Sequence, residues 1–207
     1  MFESEKPEAY EKVYQGLVER LAERDLAPAG ASLGLQRRGA EYAVPLLGRE
    51  FLVGPGGVRA AGGGPAPFTH RIVLAWFLIH GGGGEPSGSF VPYRELPGGA
   101  DFARTLSQLV DARLAASFSG RLAELKQAAL ALGGRELPTS SASDGAWRFP
   151  ALPKLPLELR FYDADEEFPA EAKLLYDITA PNFLDLECLA VLGQILVVEL
   201  EQAGAGA

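Results

Sequence analysis

The sequence predicts an α+β fold: an antiparallel sheet in two sequence-distant parts, an N-terminal meander and a C-terminal hairpin, packed with about five helices. Three observations carry this expectation. Apolar residues near both ends of the chain recur with the helical period of about 3.6. Between 31 and 60 the period drops to two, and it drops to two again between 157 and 178. With no internal repeat and no long linker, residues 1–207 are expected to form a single domain, with 31–60 as a small sub-lobe.

The first helix is marked by Tyr10, Val13, Tyr14, Leu17, Val18 and Leu21, with Pro7 suited to its first turn. Tyr42, Val44 and Leu46 then alternate with Ala43, Pro45 and Leu47. Gly48 punctuates, REFLV (49–53) returns, and GPGG (54–57) turns again, which reads as a small meander. Pro45 cannot donate to a ladder and should lie at an edge or bulge. A helix starting near Thr69 carries IVLAWFLI (72–79), apolar all round and so buried, and stops at the glycines 81–84. Phe102, Leu106, Leu109, Leu114 and Phe118 mark a further helix, and Leu122, Leu125, Ala129 and Leu132 another, ended by Gly133 and Gly134. PTSSASDG (138–145) reads as a surface loop, LELRFY (157–162) and AKLLYDI (172–178) as strands. Asp185 caps a leucine-rich last helix running to about Leu200, and the AGAGA tail is expected to fray.

A chain of 207 residues, 47% hydrophobic and 22% charged, can bury one substantial core. Its net charge of −8 argues against nucleic acid and against anionic membrane surfaces, both of which need concentrated basic residues. A small basic pocket for an anion remains compatible with that balance. Cys188 is the single cysteine, so no disulfide within the chain and no iron–sulfur cluster of its own is possible. The polar start MFESEKPEAYEK is not a signal peptide, and the longest apolar run has eight residues where a membrane span needs about 20. A cytoplasmic protein is expected.

The densest chemistry is YDADEEFPAE (162–171), with five carboxylates in ten positions. Counted from Asp163, an EF-hand loop finds Asp165 and Glu167 in place, but Phe168 stands where glycine is needed and Leu174 where a carboxylate is needed. A looser divalent-cation site would use Asp163, Asp165 and Glu166, helped by His80 or by Asp177 or Glu187. The plain alternative is a solvated turn. His70 and His80 flank the buried helix, and His80 suits its C-terminus as a charge partner. FVPYRELPGG (90–99) offers Tyr93 and Arg94 to orient a carboxylate or phosphate; the alternative is that Arg94 pairs with a structural acid, with 163–167 as candidates, in a brace. The glycine run matches neither phosphate-binding nor dinucleotide fingerprints, and no nucleophile elbow occurs. Cys188, Trp76 and Trp147 read as packing residues.

Four blocks taken in order, SGSFVPYRELPGG (87–99), ALGG (131–134), RFPALPKLPLELRFYDADEEFPAEAKLLYD (148–177) and LECLAVLG (186–193), resemble a domain-of-unknown-function family, DUF3786, found in bacteria and archaea, chiefly anaerobes. The resemblance spans about residues 10–200. It implies a recurring pattern at Tyr93, Arg94, Glu95, Asp165, Glu166, Phe168 and Pro169. It also implies an accessory role in anaerobic metabolism beside an iron–sulfur or corrinoid-related partner. Relatives carry tryptophan where this chain has Phe161 and Tyr162, which weakens a planar-ligand reading here. Three functions stay open: a module binding a small ligand, cofactor or partner through Tyr93, Arg94, Glu95, Asp165 and Glu166; a divalent-metal-dependent, hydrolase-like enzyme using Asp163, Asp165, Glu166 and His80; and a structural interaction subunit.

Overall fold

The computed structural model of the chain describes residues 7–138 and 143–205. The α+β class holds, and each of the two sequence-distant β regions builds an antiparallel sheet of its own, of four and five strands. The middle of the expected 138–145 loop and the end of the 203–207 tail lie outside the described residues. The chain divides into two compact units, Met1–Val44 with Glu50–Gly83, and Pro45–Arg49 with Gly84–Ala207.

The first unit opens with α1 (Pro7–Glu23) and α2 (Ala27–Ser32). On α1, Tyr14, Leu17 and Leu21 are buried, while Val13 is exposed. At 100° per residue, Val13 lies at the flank of the stripe centred on the other three, so the buried face is narrower than the apolar spacing suggested. The Tyr10 side chain lies outside the described ones. The meander follows as β1 (Gln36–Arg38), β2 (Glu41–Leu46), β3 (Arg49–Gly54) and β4 (Gly57–Ala60), paired in that order. β1 reaches only as far as Ala43 on its neighbour, so exposed Pro45 stands where β2 has an open edge, the one place a residue without an N–H fits. Tyr42, Ala43 and Val44 are all buried, so the strand is covered on both sides and its alternation does not separate wet from dry. The apolar helix α3 (Phe68–His80) buries Val73, Leu74, Ala75, Phe77, Leu78 and Ile79, and ends on Gly81 in the left-handed region. Trp76 is half-buried, with the Arg20 guanidinium 4.4 Å above its ring.

The second unit contains β5 (Phe90–Pro92), short 3-10 turns at Tyr93–Glu95 and Gly99–Asp101, α4 (Ala103–Leu109), α5 (Asp111–Phe118), α6 (Leu122–Ala131), β6 (Arg135–Glu136), β7 (Gly145–Leu152), β8 (Leu155–Tyr162), β9 (Glu171–Asp177) and α7 (Leu186–Ala205). The sheet order is β5-β9-β8-β7-β6, so the expected C-terminal hairpin is the centre of a larger sheet. The sequence hid β7 because Gly145 and Pro150 interrupt it; Pro150 falls where the register between β7 and β8 shifts, between Phe149 and Leu152. One face of the sheet is the core. Trp147 pairs with Leu159 and Leu159 with Leu174, while Phe149, Leu157 and Tyr176 form the next row, all of them buried. Helix α5 packs on β9, α6 on β7, and α7 against α5 and α6. Asp185 caps α7 as expected, its carboxylate accepting the Cys188 N–H at 2.7 Å. By length and composition α7 could cross a membrane, yet 61% of its apolar window is buried within the fold, as in a core helix.

The helix expected across 102–118 is broken. Val110, at φ −115° and ψ −69°, separates α4 from α5. The break presents Asp111, the first residue of α5, to β9. The turn between β2 and β3 also belongs to this unit. Leu47 and Gly48 both have positive φ, 47° and 78°, as a two-residue hairpin of type I′ requires. Left-handed backbone disfavours leucine by about 1–2 kcal/mol. Leu47 holds it because its side chain is buried and its N–H donates to the Ala151 carbonyl at 3.1 Å.

Candidate binding site

The site begins at the edge of the second sheet. β5 pairs Phe90 with Asp177, Val91 with Tyr176 and Pro92 with Leu175, and there it stops. Tyr93, the next residue that could pair with β9, turns away, and the chain leaves the edge through the Tyr93–Glu95 turn. Gly99 makes that turn possible, since a Cβ there would fall on the Tyr93 carbonyl. This accounts physically for the closing glycine of PYRELPGG.

Tyr93 points inward. Its hydroxyl donates to the Leu186 carbonyl at 2.9 Å, and its ring meets Tyr176 edge-on at 5.7 Å. Arg94 points outward. Its side chain is 69% exposed, and its one ion pair among the described residues is a long one, 3.6 Å to the adjacent Glu95. Arg94 borders two cavities on this edge, of about 230 and 660 Å³. Arg104, Ser107, Val110, Leu174 and Tyr176 help to line the smaller; Arg160, Glu171, Lys173 and Ala115 help to line the larger.

Asp111 borders both cavities. Its carboxylate accepts the Leu174 N–H at 3.0 Å, taking the place of a missing strand partner. Burial pushes the Asp111 carboxyl up; the bonds from Leu174 and Ser107 pull against that, Glu171 adds to it and Lys173 opposes it. Beneath it the Tyr176 hydroxyl is buried and has no hydrogen-bond partner among the described residues. Burial, then Asp111 and Tyr93, drive that phenol well above its ordinary value. Gly193 of α7 leaves the space it occupies, since a Cβ there would strike it.

Two other carboxylates hold the surroundings together. Asp177, almost fully buried, accepts from the Ser87 N–H and hydroxyl at 3.1 and 2.9 Å, from the Gly88 N–H at 2.6 Å, and from the Thr179 N–H and hydroxyl at 2.9 and 2.6 Å. Burial alone would raise the Asp177 carboxyl, but the donors of Thr179, Ser87 and Gly88 outweigh it and hold it below its ordinary value. On the outer face of the sheet, buried Glu158 lies between Arg148 and Arg160, 3.0 Å from each.

The crowded acidic block is built differently. Residues 163–170 join β8 to β9 as an exposed loop. Asp165 accepts the Glu167 and Phe168 N–H groups at 2.8 and 2.7 Å, and these bonds, Phe168 first, hold its carboxyl low. Asp163 accepts the N–H groups of Gly120 and Ala164. Glu166 is exposed. Asp165, Glu166 and Glu95 border neither cavity. Among the described residues no group of three or more histidine, cysteine or acidic side chains is placed to hold a metal ion. His80, proposed to help Asp163, Asp165 and Glu166, is an exposed residue in the last turn of α3 and belongs to the first unit. His70 is buried there against Phe51, at 5.6 Å between rings. Cys188 is buried and its thiol is pushed up by burial and by Asp185.

Of the residues singled out from the sequence, the structure therefore places Tyr93 and Arg94 at a cleft, with Asp111 and Glu171 in the acidic positions expected of Asp165 and Glu166. Arg104, Asp111, Arg160, Lys173 and Tyr176 were missed. One signal was available: Ser107 and Asp111 stand four apart, on one side of a helical turn. The family model for a domain of unknown function, DUF3786, matches residues 25–199. The chain belongs to that family. All the cleft residues fall within the DUF3786 match, as do Asp177 and the Arg148–Glu158–Arg160 group. No curated protein and no solved structure matches the chain.

Proposed function

We propose that the protein is a binding module whose cleft takes an anionic ligand or partner segment, with Arg94 as the anion anchor. The observation that supports this reading is the state of Arg94. It is a largely exposed guanidinium bordering both cavities, with only a 3.6 Å contact to a neighbouring acid. Such a fork suits a carboxylate or a phosphate. Asp111 beside it would accept from a donor group of the same ligand. In this reading the protein is a cytoplasmic accessory module in anaerobic metabolism, which rests on the family resemblance alone.

The test is an amide NMR titration of the whole chain with succinate and, separately, inorganic phosphate. Saturable shifts around Arg94 and Asp111, lost in Arg94→Ala, are the expected result. Shifts that survive Arg94→Ala unchanged would remove Arg94 from the anchor role. A second reading, an interaction subunit, is favoured by Phe168, which is 66% exposed in the middle of the acidic loop. An aromatic side chain displayed among carboxylates suits a partner with a basic rim around an apolar hollow.

A further inference from the structure

The smaller cavity, of about 230 Å³, lies below the roughly 300–1,000 Å³ usual for drug-sized ligands, so an occupant that fills it is a smaller molecule than those. Three parts of the second unit enclose it. The Tyr93–Glu95 turn contributes Tyr93 and Arg94, α4 and the start of α5 contribute Arg104, Leu106, Ser107 and Asp111, and β9 contributes Leu174 and Tyr176. Leu106, Val110, Leu174 and Tyr176 are buried and give the cavity an apolar wall.

The charges around this cavity are balanced. Arg94 has its long contact to Glu95, with both side chains more than half exposed, and so solvated a pair holds Arg94 only weakly. Arg104 is exposed and has no ion pair among the described residues. It stands three residues before Ser107, on the same side of α4, and the break at Val110 brings Asp111 round to the same opening. With Glu95 counted, two cations stand with two carboxylates. A ligand bearing a carboxylate alone would pair with the arginines and leave Asp111 without a cation. A ligand of both signs would satisfy both.

Asp111 has room for such a partner. Its Oδ1 accepts the Leu174 N–H at 3.0 Å and the Ser107 hydroxyl donates to it as well, while a carboxylate offers about four lone-pair sites. The group is half-buried, and burial pushes its carboxyl up; a cation placed beside it would relieve that cost. Glu171 and Lys173, which also act on Asp111, line the larger cavity and not this one.

We infer that the smaller cavity takes a free amino acid with a small apolar side chain, its carboxylate on Arg94 and Arg104, its ammonium on Asp111 and its side chain against Leu106, Val110 and Leu174. The inference rests on the binding-module reading and on the same Arg94, and it names the class of ligand.

The probes are L-alanine, L-valine and L-leucine, titrated into the full chain and followed by amide NMR. Two analogues of valine each lack one charge: 3-methylbutanoate has no ammonium and 2-methylpropylamine has no carboxylate. The expected result is saturable shifts around Arg94, Arg104 and Asp111, with the best amino acid binding at least about tenfold more tightly than either analogue, because each analogue leaves one pole of the cavity unpaired. Asp111→Asn keeps an acceptor for the Leu174 N–H and should bring valine to the affinity of 3-methylbutanoate, leaving 3-methylbutanoate no weaker. Equal binding of valine and 3-methylbutanoate, or equal loss of both in Asp111→Asn, would overturn the inference. Shifts at Arg94 with succinate, and no tighter binding of any amino acid, would leave the anion anchor standing and sink the amino acid. Amino-acid binding that survives Arg94→Ala but falls at least about tenfold in Arg104→Gln would keep the amino acid and pass the anchor to Arg104. No response to any of these probes, succinate and phosphate included, would sink both readings.

Discussion

The second unit uses its acids in two opposite ways. In the 163–167 loop, four carboxylates crowd into five positions and are largely exposed; Asp163 and Asp165 serve their own turn or a nearby backbone N–H. Asp111, Glu158 and Asp177 are isolated in sequence and half-buried or buried; Asp111 and Asp177 tie together segments 63 and 90 residues apart, and Glu158 bridges arginines on adjacent strands. Density in sequence marked the first group, and burial marks the second. A solvated carboxylate is worth little to the fold, whereas a buried one must find every donor it needs, so the structure around it is committed.

This contrast can be broken by mutation, with unfolding followed by Trp147 fluorescence in a Trp76→Phe background. Asp177→Ala should be the most damaging, by about 3 kcal/mol or more, because it strands several donors at once. Equal damage from Asp165→Ala would erase the distinction. The Asp177 carboxyl lies lower in the folded state than in the unfolded chain. Its contribution is therefore complete above the unfolded value of about 4 and is lost as pH falls through the folded value. Urea midpoints measured below pH 4 should show that loss in the wild type and show it reduced in Asp177→Asn.

Glu158→Ala should destabilise by about 2 kcal/mol in urea, less than the ~3–5 of a fully buried pair because both arginines keep access to water. Asp111→Asn sharpens the comparison through its sign. The Asp111 carboxyl is raised on folding, so its charge opposes folding at neutral pH and ceases to do so as pH falls below the unfolded value. The asparagine keeps an acceptor for Leu174 and loses the charge. It should match or exceed the wild type in urea midpoint at pH 7, and any advantage should shrink toward pH 4. At the small end, Asp165→Ala should lower the urea midpoint only slightly, and Glu166→Ala should fall within about 0.5 kcal/mol of the wild type in the same assay.

How much was legible follows the same division between local and distant causes. α1, α3 and α7 declare themselves by spacing or by unbroken apolar character, and Asp185 is a local cap, so these were readable. β8 and β9 were readable from Leu157, Leu159 and Phe161 and from KLLYD. β5 and β7 were not, because Pro92 and Pro150 break their patterns and only pairing with β9 and β8 makes them strands. PYRELPGG was rightly singled out for its unusual chemistry, and Gly99 now has a steric reason. The partners of Arg94 in the cleft come from α4, α5, β8 and β9, and nothing in the spacing of Arg104, Asp111, Arg160 and Lys173 announces that they meet.

The buried hairpin turn at Leu47 carries a cost in time. Its carbonyl partner, Ala151, is made 104 residues later. At about 5–20 residues per second the ribosome leaves that apolar turn without its partner for roughly 5–20 s. The chain also passes between its two units at 44/45, 49/50 and 83/84. No single cut yields both units whole, and a fragment starting at Gly84 would lack the wedge that residues 45–49 supply.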